Sequence, residues 1–365
     1  MIHHTILGAL FFCLSFRVGL SYLNYNINGI DKNIAFFKVN FSNLNHYNEK
    51  ALKLQEIFKD NLDNQDRSNV AAALQRNIEK IFVKHLENTL EKPSNIALAG
   101  GLFANVKINQ EIRNSSFCLN LFVQPAMADC GLSMGAAQLM NKSIGIDNIY
   151  ENSALLGNSY SKESITNILN YYKSDYFSKE LGSKVFDDIA KEINEGKIVG
   201  VFQGRMEWGP RALSARSILA NPKFKRINND LNQRLNRSEF MPFAPIVLDE
   251  DMNKLFLDWN EKDRTSQYMT STYNINQEYQ DFISAVVHID KTARPQVVRE
   301  EEYSYIYKVL KSIKKLTGIG VLINTSFNLH EEPIVESPYD ALRALRKKAI
   351  DILYLEDKKV ELKNQ

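Results

Sequence analysis

Two apolar segments in the first half of the chain each end in a glycine-containing turn. Asn95–Ala99 is followed by Gly100-Gly101, and Leu119–Val123 leads to Asp129-Cys130-Gly131. A helix-like segment follows each turn, the second of them over Leu132–Met140. Repeated units of strand, turn and helix predict an α/β sheet, with ligands expected where the strands end.

The length of the chain predicts two domains, because 365 residues exceed what one hydrophobic core usually supports. Hydrophobic residues at 44% and charged residues at 24% are typical of a folded soluble chain. Apolar residues recur at helical spacing from Glu49 to Glu91, which predicts a long amphipathic helix. The polar segment Asp147–Ser164 is interpreted as a linker, so the predicted domains are residues 1–157 and 158–365.

The second domain contains both helical and strand patterns. Helices are predicted in three segments: Ser164–Tyr172, Val185–Glu195 and Pro338–Lys347. Strands are predicted in five apolar segments: Lys197–Gln203, Ala244–Leu248, Ser284–Ile289, Gly320–Ile323 and Ile350–Leu355. Their order predicts an α+β or mixed α/β domain.

Charge and cysteine usage narrow the functional class. The net charge is only +2, with basic and acidic residues interleaved, so no nucleic-acid partner is predicted. The three cysteines contain no CxxC pair, which favours the reducing cytoplasm. Thr5–Leu23 is apolar but is interrupted by Arg17, so we interpret it as a buried element and predict no membrane association.

A cluster of cations follows the strand predicted at Lys197–Gln203. The segment 204–218 (GRMEWGPRALSARSI) places Arg205, Arg211 and Arg216 with Glu207 around a Gly-Pro turn. Guanidinium groups match phosphate oxygens in pairs, and glycines let the backbone approach a ligand closely. The segment therefore predicts an anion site, and the alternative is an arginine and glutamate network that braces a turn.

Three further polar segments lie at predicted strand ends. Arg237 lies in a loop rich in proline and aromatic residues, and His288 and Arg294 lie in 288–296 (HIDKTARPQ). Asn324 and Ser326 end another apolar strand. Each has a plainer interpretation as a solvated strand end or a turn, but together they indicate a ligand with several negative charges, such as a nucleotide plus a second phosphate. No Walker loop or dinucleotide-binding GxGxxG motif is present.

The first domain has two candidate site segments. Gly100-Gly101 and Asn105 lie between strand and helix, where a paired glycine lets a helix N-terminus approach a phosphate or ribose. Asp129 follows the second strand and is a candidate metal ligand. A helix N-cap role for Asp129 is the alternative.

At these residues the sequence resembles the NodU/CmcH carbamoyltransferase family. The shared motifs are GGxxxNxxxN, PxxxDxGxxxGAA, GRMExGPRALxxRSI, RxEFxPFAP, HxDxTARPQ and NTSFNxxxEPIV, and they match in order from about Ala71 to Leu355. The resemblance implies an actin-like transfer domain followed by a YrdC-like α/β domain. It also implies that ATP and carbamoyl phosphate form carbamoyl-adenylate in the second domain, and that the carbamoyl group then passes to a hydroxyl of a sugar or antibiotic precursor.

The resemblance also assigns roles to residues. Several cations must offset the charge of two phosphorylated substrates, and Arg211, Arg216 and Arg294 are the predicted catalytic residues. Predicted substrate and nucleotide contacts are Gly100, Gly101, Asn105, Arg205, Glu207, Arg237, His288, Asn324 and Ser326. Asp129 matches the family's metal-binding aspartate, with Fe²⁺ or Mg²⁺ as the expected divalent metal.

The chain departs from the family pattern in two ways. Ser214, Lys291 and Glu331 stand where glycine is commoner, and Met241 stands where many members have arginine. The first half of the actin-like domain, with its histidine pair, is not recognisable, so we expect an N-terminally truncated member. His3-His4 is interpreted as a remnant of that histidine segment.

Truncation leaves two alternatives to a self-sufficient carbamoyltransferase. One is a non-catalytic or split-gene fragment that needs a partner chain encoded upstream to supply the missing half. The other is a tRNA-modification factor, suggested by the kinship of the transfer domain with tRNA threonylcarbamoylation enzymes and disfavoured by the charge balance.

Overall fold

The computed structural model describes residues 23–27, 30–34, 66–146, 153–235, 243–329 and 332–363. The chain divides into two compact units, residues 1–119 and 120–365. The functional boundary predicted at residue 157 stays a prediction. No helix among these residues is long and apolar enough to cross a membrane, and the Thr5–Leu23 segment lies outside them except at its last residue.

The first unit contains a hairpin, helices and one further strand. Its elements are β1 (Leu23–Ile27), β2 (Ile30–Ile34), α1 (Arg67–Thr89), β3 (Ser94–Leu98) and α2 (Val106–Arg113). β1 and β2 pair antiparallel. α1 begins where the Asp66 side chain accepts the Ser68 N–H (3.1 Å). The predicted long helix is thus confirmed over 67–89, and the part before residue 66 lies outside the described residues.

The turn predicted at Gly100-Gly101 is present in the first unit. Gly100 has φ +111°, a conformation that favours glycine, and a short 3₁₀ helix follows at Gly101–Ala104. β4 (Cys118–Val123) then runs across the boundary between the units, and a second 3₁₀ turn at Asp129–Gly131 leads into α3 (Leu132–Ser143). Both predicted units of strand, turn and helix are confirmed.

An eight-stranded sheet dominates the second unit. In chain order its strands are β5 (Tyr176–Glu180), β6 (Val199–Phe202), β7 (Arg216–Ala220), β8 (Ala244–Leu248), β11 (Gln296–Val298), β12 (Val321–Ser326), β13 (Ile352–Leu355) and β14 (Lys358–Leu362). Their order across the sheet is β11-β8-β12-β7-β6-β13-β14-β5. β11 with β8 and β13 with β6 are parallel pairs, and the other neighbours are antiparallel. The mixed α/β prediction for this domain is confirmed.

Six helices and one small hairpin accompany the sheet. The helices are α4 (Lys162–Tyr171), α5 (Val185–Asn194), α6 (Ile227–Arg234), α7 (Asp249–Leu255), α8 (Glu300–Thr317) and α9 (Pro338–Arg346). β9 (Tyr273–Asn274) and β10 (Thr292–Ala293) form the hairpin. Neighbouring residues of the central strands enter different core clusters, as Ile218 and Leu219 do. Both faces of the sheet are therefore covered, which explains why its central strands lack a polar alternation.

One predicted strand is wrong. Ser284–Ile289 was expected to be extended because it is apolar, but Gln277–Val286 forms 3₁₀ turns and buries Ile283, Ala285 and Val286. A short apolar segment fits either conformation, and here burial beneath the sheet decides. The 18-residue helix α8, with three glutamates in its first turn, was not predicted.

Candidate functional site

The arginine-rich motif connects β6 and β7, which are neighbouring antiparallel strands. We call residues 203–215 the arginine loop. Phe202 pairs with Arg216 at the base of the loop, and the Gln203 N–H donates to Ala215 O (3.0 Å). All residues of both strands are buried, so the loop begins and ends on a fixed base.

Glu207 shapes the loop from inside. Its side chain is 4% exposed, and Oε1 accepts the backbone N–H groups of Leu213 (2.8 Å), Ala215 (2.7 Å) and Arg216 (3.0 Å). Oε2 is buried without a hydrogen-bond partner among the described residues. Burial raises the pKa of Glu207, and the three N–H groups oppose that shift. The structure shows a shaping role, and direct nucleotide contact by Glu207 stays a prediction.

Arg216 is fully buried and braces the same loop. Its guanidinium lies 3.6 Å from the centre of the Phe202 ring. It donates to four backbone carbonyls: Gln203 (2.8 Å), Ala215 (3.1 Å), Asn158 (3.2 Å) and Gly204 (3.2 Å). This is the bracing network raised as the alternative for the motif. A catalytic contact by Arg216 stays a prediction.

Arg205 is exposed and ties the loop to the preceding segment. It donates to Gly157 O (3.0 Å) and Leu156 O (2.6 Å). Backbone hydrogen bonds from Gly157 N–H to Met206 O (2.8 Å) and from Trp208 N–H to Ala154 O (2.7 Å) run alongside. The start of the arginine loop is therefore fixed on this second segment as well.

Arg211 and Arg294 are two further arginines of the quoted motifs, and burial perturbs both of them. Arg211 lies in the arginine loop, and Arg294 lies between β10 and β11. Burial lowers the pKa of Arg211, and burial together with the charge of Arg211 lowers the pKa of Arg294 to about 9. Among the described residues, no hydrogen bond or ion pair engages the Arg294 guanidinium. Two partly desolvated cations that repel each other make a site that an anion would stabilise.

A buried amide network joins the arginine loop to β11 and β12. Gln296 Oε1 accepts from Ser214 Oγ (3.0 Å) and Asn324 Nδ2 (3.3 Å), and Asn324 Nδ2 also donates to Ala212 O (2.9 Å). Asn324 Oδ1 is buried with no hydrogen-bond partner in the described part of the chain. Ser326 ends β12 opposite Ser217 and is partly exposed. The structure places Asn324 beside the arginine loop, and its contact with a substrate or nucleotide stays a prediction; Gln296, at the end of a quoted motif, was not predicted as a site residue.

His288 lies in the turn that leads to Arg294. Its Nδ1 is 3.2 Å from Thr292 Oγ1, and Asp290 Oδ1 accepts from Thr292 N–H (3.1 Å) and Oγ1 (2.7 Å). These contacts close the turn between the 3₁₀ segment and β10. Contact of His288 with a substrate stays a prediction.

The residues that replace the family's glycines adopt the backbone conformation that favours glycine. Ser214 has φ +80° and Lys291 has φ +61°. A side chain in this region carries a steric cost, which Ser214 offsets through its hydrogen bond to Gln296. Glu331, Arg237 and Met241 lie outside the described residues.

A buried polar segment near the sheet was also missed. Asp263 accepts from Thr265 Oγ1 (2.7 Å) through Oδ1 and from Tyr273 OH (2.7 Å) through Oδ2. Tyr268, within this segment, makes an edge contact with Phe122 at 6.4 Å between ring centres. The signal for it is the run of hydroxyl residues in 263–273 (DRTSQYMTSTY).

We call residues 127–131 the Asp129 turn. Asp129 is exposed, and no side-chain cap is present at this 3₁₀ turn. Within the described ranges, no group of three or more His, Cys, Asp or Glu side chains is placed to hold a metal ion. The described residues therefore do not form a metal site, and the metal-binding role of Asp129 stays a prediction.

Asn105 has a clear structural role in the first unit. Its Oδ1 accepts the Lys107 N–H (3.2 Å) and Ile108 N–H (3.3 Å) at the start of α2, and its Nδ2 donates to Gln75 Oε1 (2.8 Å) on α1. The predicted nucleotide contacts of Gly100, Gly101 and Asn105 stay predictions.

Two family models match the chain. The carbamoyltransferase N-terminus matches residues 5–138, and the carbamoyltransferase C-terminus matches residues 190–361. The second match contains the arginine loop, Arg294 and Asn324.

Similar proteins come from archaea and rhizobia. The chain is 36% identical to the uncharacterized protein MJ1058 of Methanocaldococcus jannaschii over 79% of this chain and 48% of that protein. It is 34% identical to MJ1051 of the same organism, over 90% and 64% of the two chains. It is 31% identical to the nodulation protein NolNO of Sinorhizobium fredii, over 76% and 42%. The chain thus spans roughly half of the length of these relatives, and at most 64% of it.

Among solved structures, the chain is similar to full-length HypF in a phosphate- and nucleotide-bound form. The TM-score is 0.38 at 18% identity, over 52% of this chain and 23% of that chain. This likeness is too limited to support an inference.

Proposed function

Because the chain belongs to the carbamoyltransferase family, of the type that includes the rhizobial nodulation proteins, we propose that it takes part in O-carbamoyl transfer. In this proposal the residues around the arginine loop activate the carbamoyl group with ATP. The carbamoyl group then passes to a hydroxyl of a sugar or secondary-metabolite acceptor. A cytoplasmic location and an actin-like plus YrdC-like division of the chain remain part of the proposal.

The pair Arg211 and Arg294 carries the proposal. Joining carbamoyl phosphate and ATP brings two polyanions together, and nearby cations must offset their repulsion. Burial and the charge of Arg211 lower the pKa of Arg294 to about 9, so an anion beside it gains more than it would from a hydrated cation. Arg294 therefore remains positively charged at neutral pH, which lies below its pKa.

The atoms of carbamoyl phosphate, ATP and one water account for all products of the proposed activation step. Water splits carbamoyl phosphate into carbamate and phosphate, and a carbamate oxygen attacks the α-phosphorus of ATP. Pyrophosphate leaves with the electron pair of the broken P–O bond, and carbamoyl-adenylate remains. Each turnover therefore consumes one water and releases phosphate and pyrophosphate in equal amounts.

The other site residues receive supporting roles. Glu207 and Arg216 are positioning residues, because they hold the backbone from which Arg211 projects. Asn324 and Ser326, at the end of β12, are proposed to contact the carbamoyl phosphate or the nucleotide. Arg205 and His288 are proposed to line the same site. For transfer, Asp129 with Gly100, Gly101 and Asn105 stays the candidate set, and no step is assigned to a metal.

A product assay tests the activation step. ATP is incubated with the chain, with and without carbamoyl phosphate, and phosphate and pyrophosphate are measured separately. The proposal expects pyrophosphate only when carbamoyl phosphate is present, in a one-to-one ratio with phosphate. Arg211→Ala and Arg294→Ala should each abolish it. Arg226→Ala, which changes an exposed arginine beside Phe224, is the matched control and should retain the signal.

Three results would contradict the proposal. One is a lack of pyrophosphate at millimolar substrates, the second is pyrophosphate release that ignores carbamoyl phosphate, and the third is full activity in Arg294→Ala.

A further inference from the structure

Two consecutive backbone carbonyl groups, those of Pro125 and Ala126, pack against glycines of the arginine loop and of the Asp129 turn. A methyl group added at Gly209, in the arginine loop, would lie 2.9 Å from Pro125 O and 3.4 Å from Ala126 Cα. The 2.9 Å distance is too short for a side chain unless the backbone shifts, and Gly209 also has φ +118°, which favours glycine. The arginine loop therefore rests directly on the backbone of Pro125 and Ala126.

The Asp129 turn packs against the next carbonyl group along the chain, that of Ala126. A methyl group added at Gly131 would lie 2.3 Å from Ala126 O, and the Cys130 Sγ lies 3.9 Å from that same oxygen. Ala126 is fully buried and Met127 is 3% exposed, whereas Asp129 and Cys130 are exposed. Gly209 thus packs against the Pro125 carbonyl and Gly131 against the neighbouring Ala126 carbonyl, so both loops contact one short segment of backbone.

We propose that the Pro125–Ala126 peptide is a positioning element that couples anion binding at the arginine loop to the geometry of the Asp129 turn. This inference rests on the proposed function, in which an activated carbamoyl group made near Arg211 and Arg294 is used near Asp129. Because both glycines approach this backbone closely, a displacement of the arginine loop should move Pro125 and Ala126 and, with them, the Asp129 turn. Gly209 and Gly131 act through this contact and touch no substrate.

The alkylation rate of the Cys130 thiol can be used to measure the coupling. Its thiol is exposed, is next to Asp129 and contacts Ala126 O. An anion that orders the arginine loop should hold the peptide in place, keep the thiol against Ala126 O and slow its alkylation. Cys13→Ser and Cys118→Ser together leave Cys130 as the single thiol of the three in the chain.

The experiment measures the alkylation rate of Cys130 in this single-thiol chain, in chelator-containing buffer, with and without tripolyphosphate. Binding of tripolyphosphate is measured separately by calorimetry. We expect tripolyphosphate to slow alkylation by about threefold or more. Gly131→Ala, whose new methyl group displaces Ala126 from the far side, should bind tripolyphosphate normally but lose the protection. Gly209→Ala should raise the alkylation rate even without the anion.

Gly135→Ala is the matched control. Gly135 lies four residues after Gly131 and has nothing within 4 Å of an added methyl group, so both the rate and the protection should equal those of the parent chain. The coupling is overturned if tripolyphosphate binds but leaves the Cys130 rate unchanged, or if Gly131→Ala keeps full protection. If tripolyphosphate does not bind, the proposed function fails with it, and calorimetry distinguishes that failure from loss of coupling alone.

Discussion

In the arginine loop a carboxylate, Glu207, is buried and accepts three backbone N–H groups, whereas in the Asp129 turn the carboxylate is exposed and caps nothing. The first region builds its own shape from side chains of the loop. The second lies on the Pro125–Ala126 peptide and offers one acidic group to its surroundings. The arginine loop is therefore shaped by its own buried side chains, whereas the Asp129 turn leaves its carboxylate exposed.

The largest expected effect is the difference in unfolding free energy between variants of the two carboxylates. Glu207→Ala leaves three buried N–H groups without an acceptor and should lower the free energy of unfolding by about 3–5 kcal/mol. Asp129→Ala removes an exposed side chain and should change it by no more than about 0.5 kcal/mol. Urea denaturation of both variants measures the contrast, and equal losses would break the comparison.

The next effect compares two arginines that were predicted to share a role. Arg216→Met removes the donor to four carbonyls and should cost about 2–4 kcal/mol of unfolding free energy. Arg294→Met removes a desolvated cation beside Arg211 and should leave stability unchanged or slightly higher. Added tripolyphosphate should raise the thermal stability of the parent chain but not that of Arg294→Met. A large stability loss in Arg294→Met would place Arg294 with the bracing residues.

The third effect is a pH dependence of anion affinity. Burial and then Arg211 lower the pKa of Arg294 to about 9, so its charge is complete below that pH and is lost as the pH rises through it. Sulfate affinity should therefore be constant near neutral pH and fall by up to about tenfold per unit above the pKa. Sulfate is the probe because it does not titrate in this range. Calorimetry on Arg294→Met is the control, and a step that persists in this variant would assign the titration elsewhere.

The smallest effect concerns the backbone of the turn before Arg294. Lys291 is exposed with φ +61°, so Lys291→Gly should raise the free energy of unfolding by about 0.5–1 kcal/mol. Lys291→Ala removes the same side-chain atoms beyond Cβ but keeps the strain, so it should give no gain. Thermal denaturation of the pair measures the difference, and an equal gain in both would refute backbone strain as the cause.

The strands and helices with a clear period were predictable from the sequence. The helix at 67–89, the strand Ala244–Leu248 and the helix that begins at Pro338 all appear where the pattern places them. The segment Ser284–Ile289 was not predictable, because a short apolar run has no period that distinguishes a strand from 3₁₀ turns. The pairing of β7 with both β6 and β12 depends on contacts across the chain that no local pattern encodes.

The sequence alone was enough to identify the family and the residue types of the proposed activation site: arginines, a glutamate and amides at strand ends. The fold separates the arginines, since Arg205 and Arg216 donate to backbone carbonyls, whereas burial and the charge of Arg211 lower the pKa of Arg294. All of these residues are arginines from the same set of motifs, and their guanidinium groups would behave identically in water. Burial and the neighbouring groups decide whether a guanidinium donates to the backbone of a loop or can bind an anion. Both are properties of the folded chain.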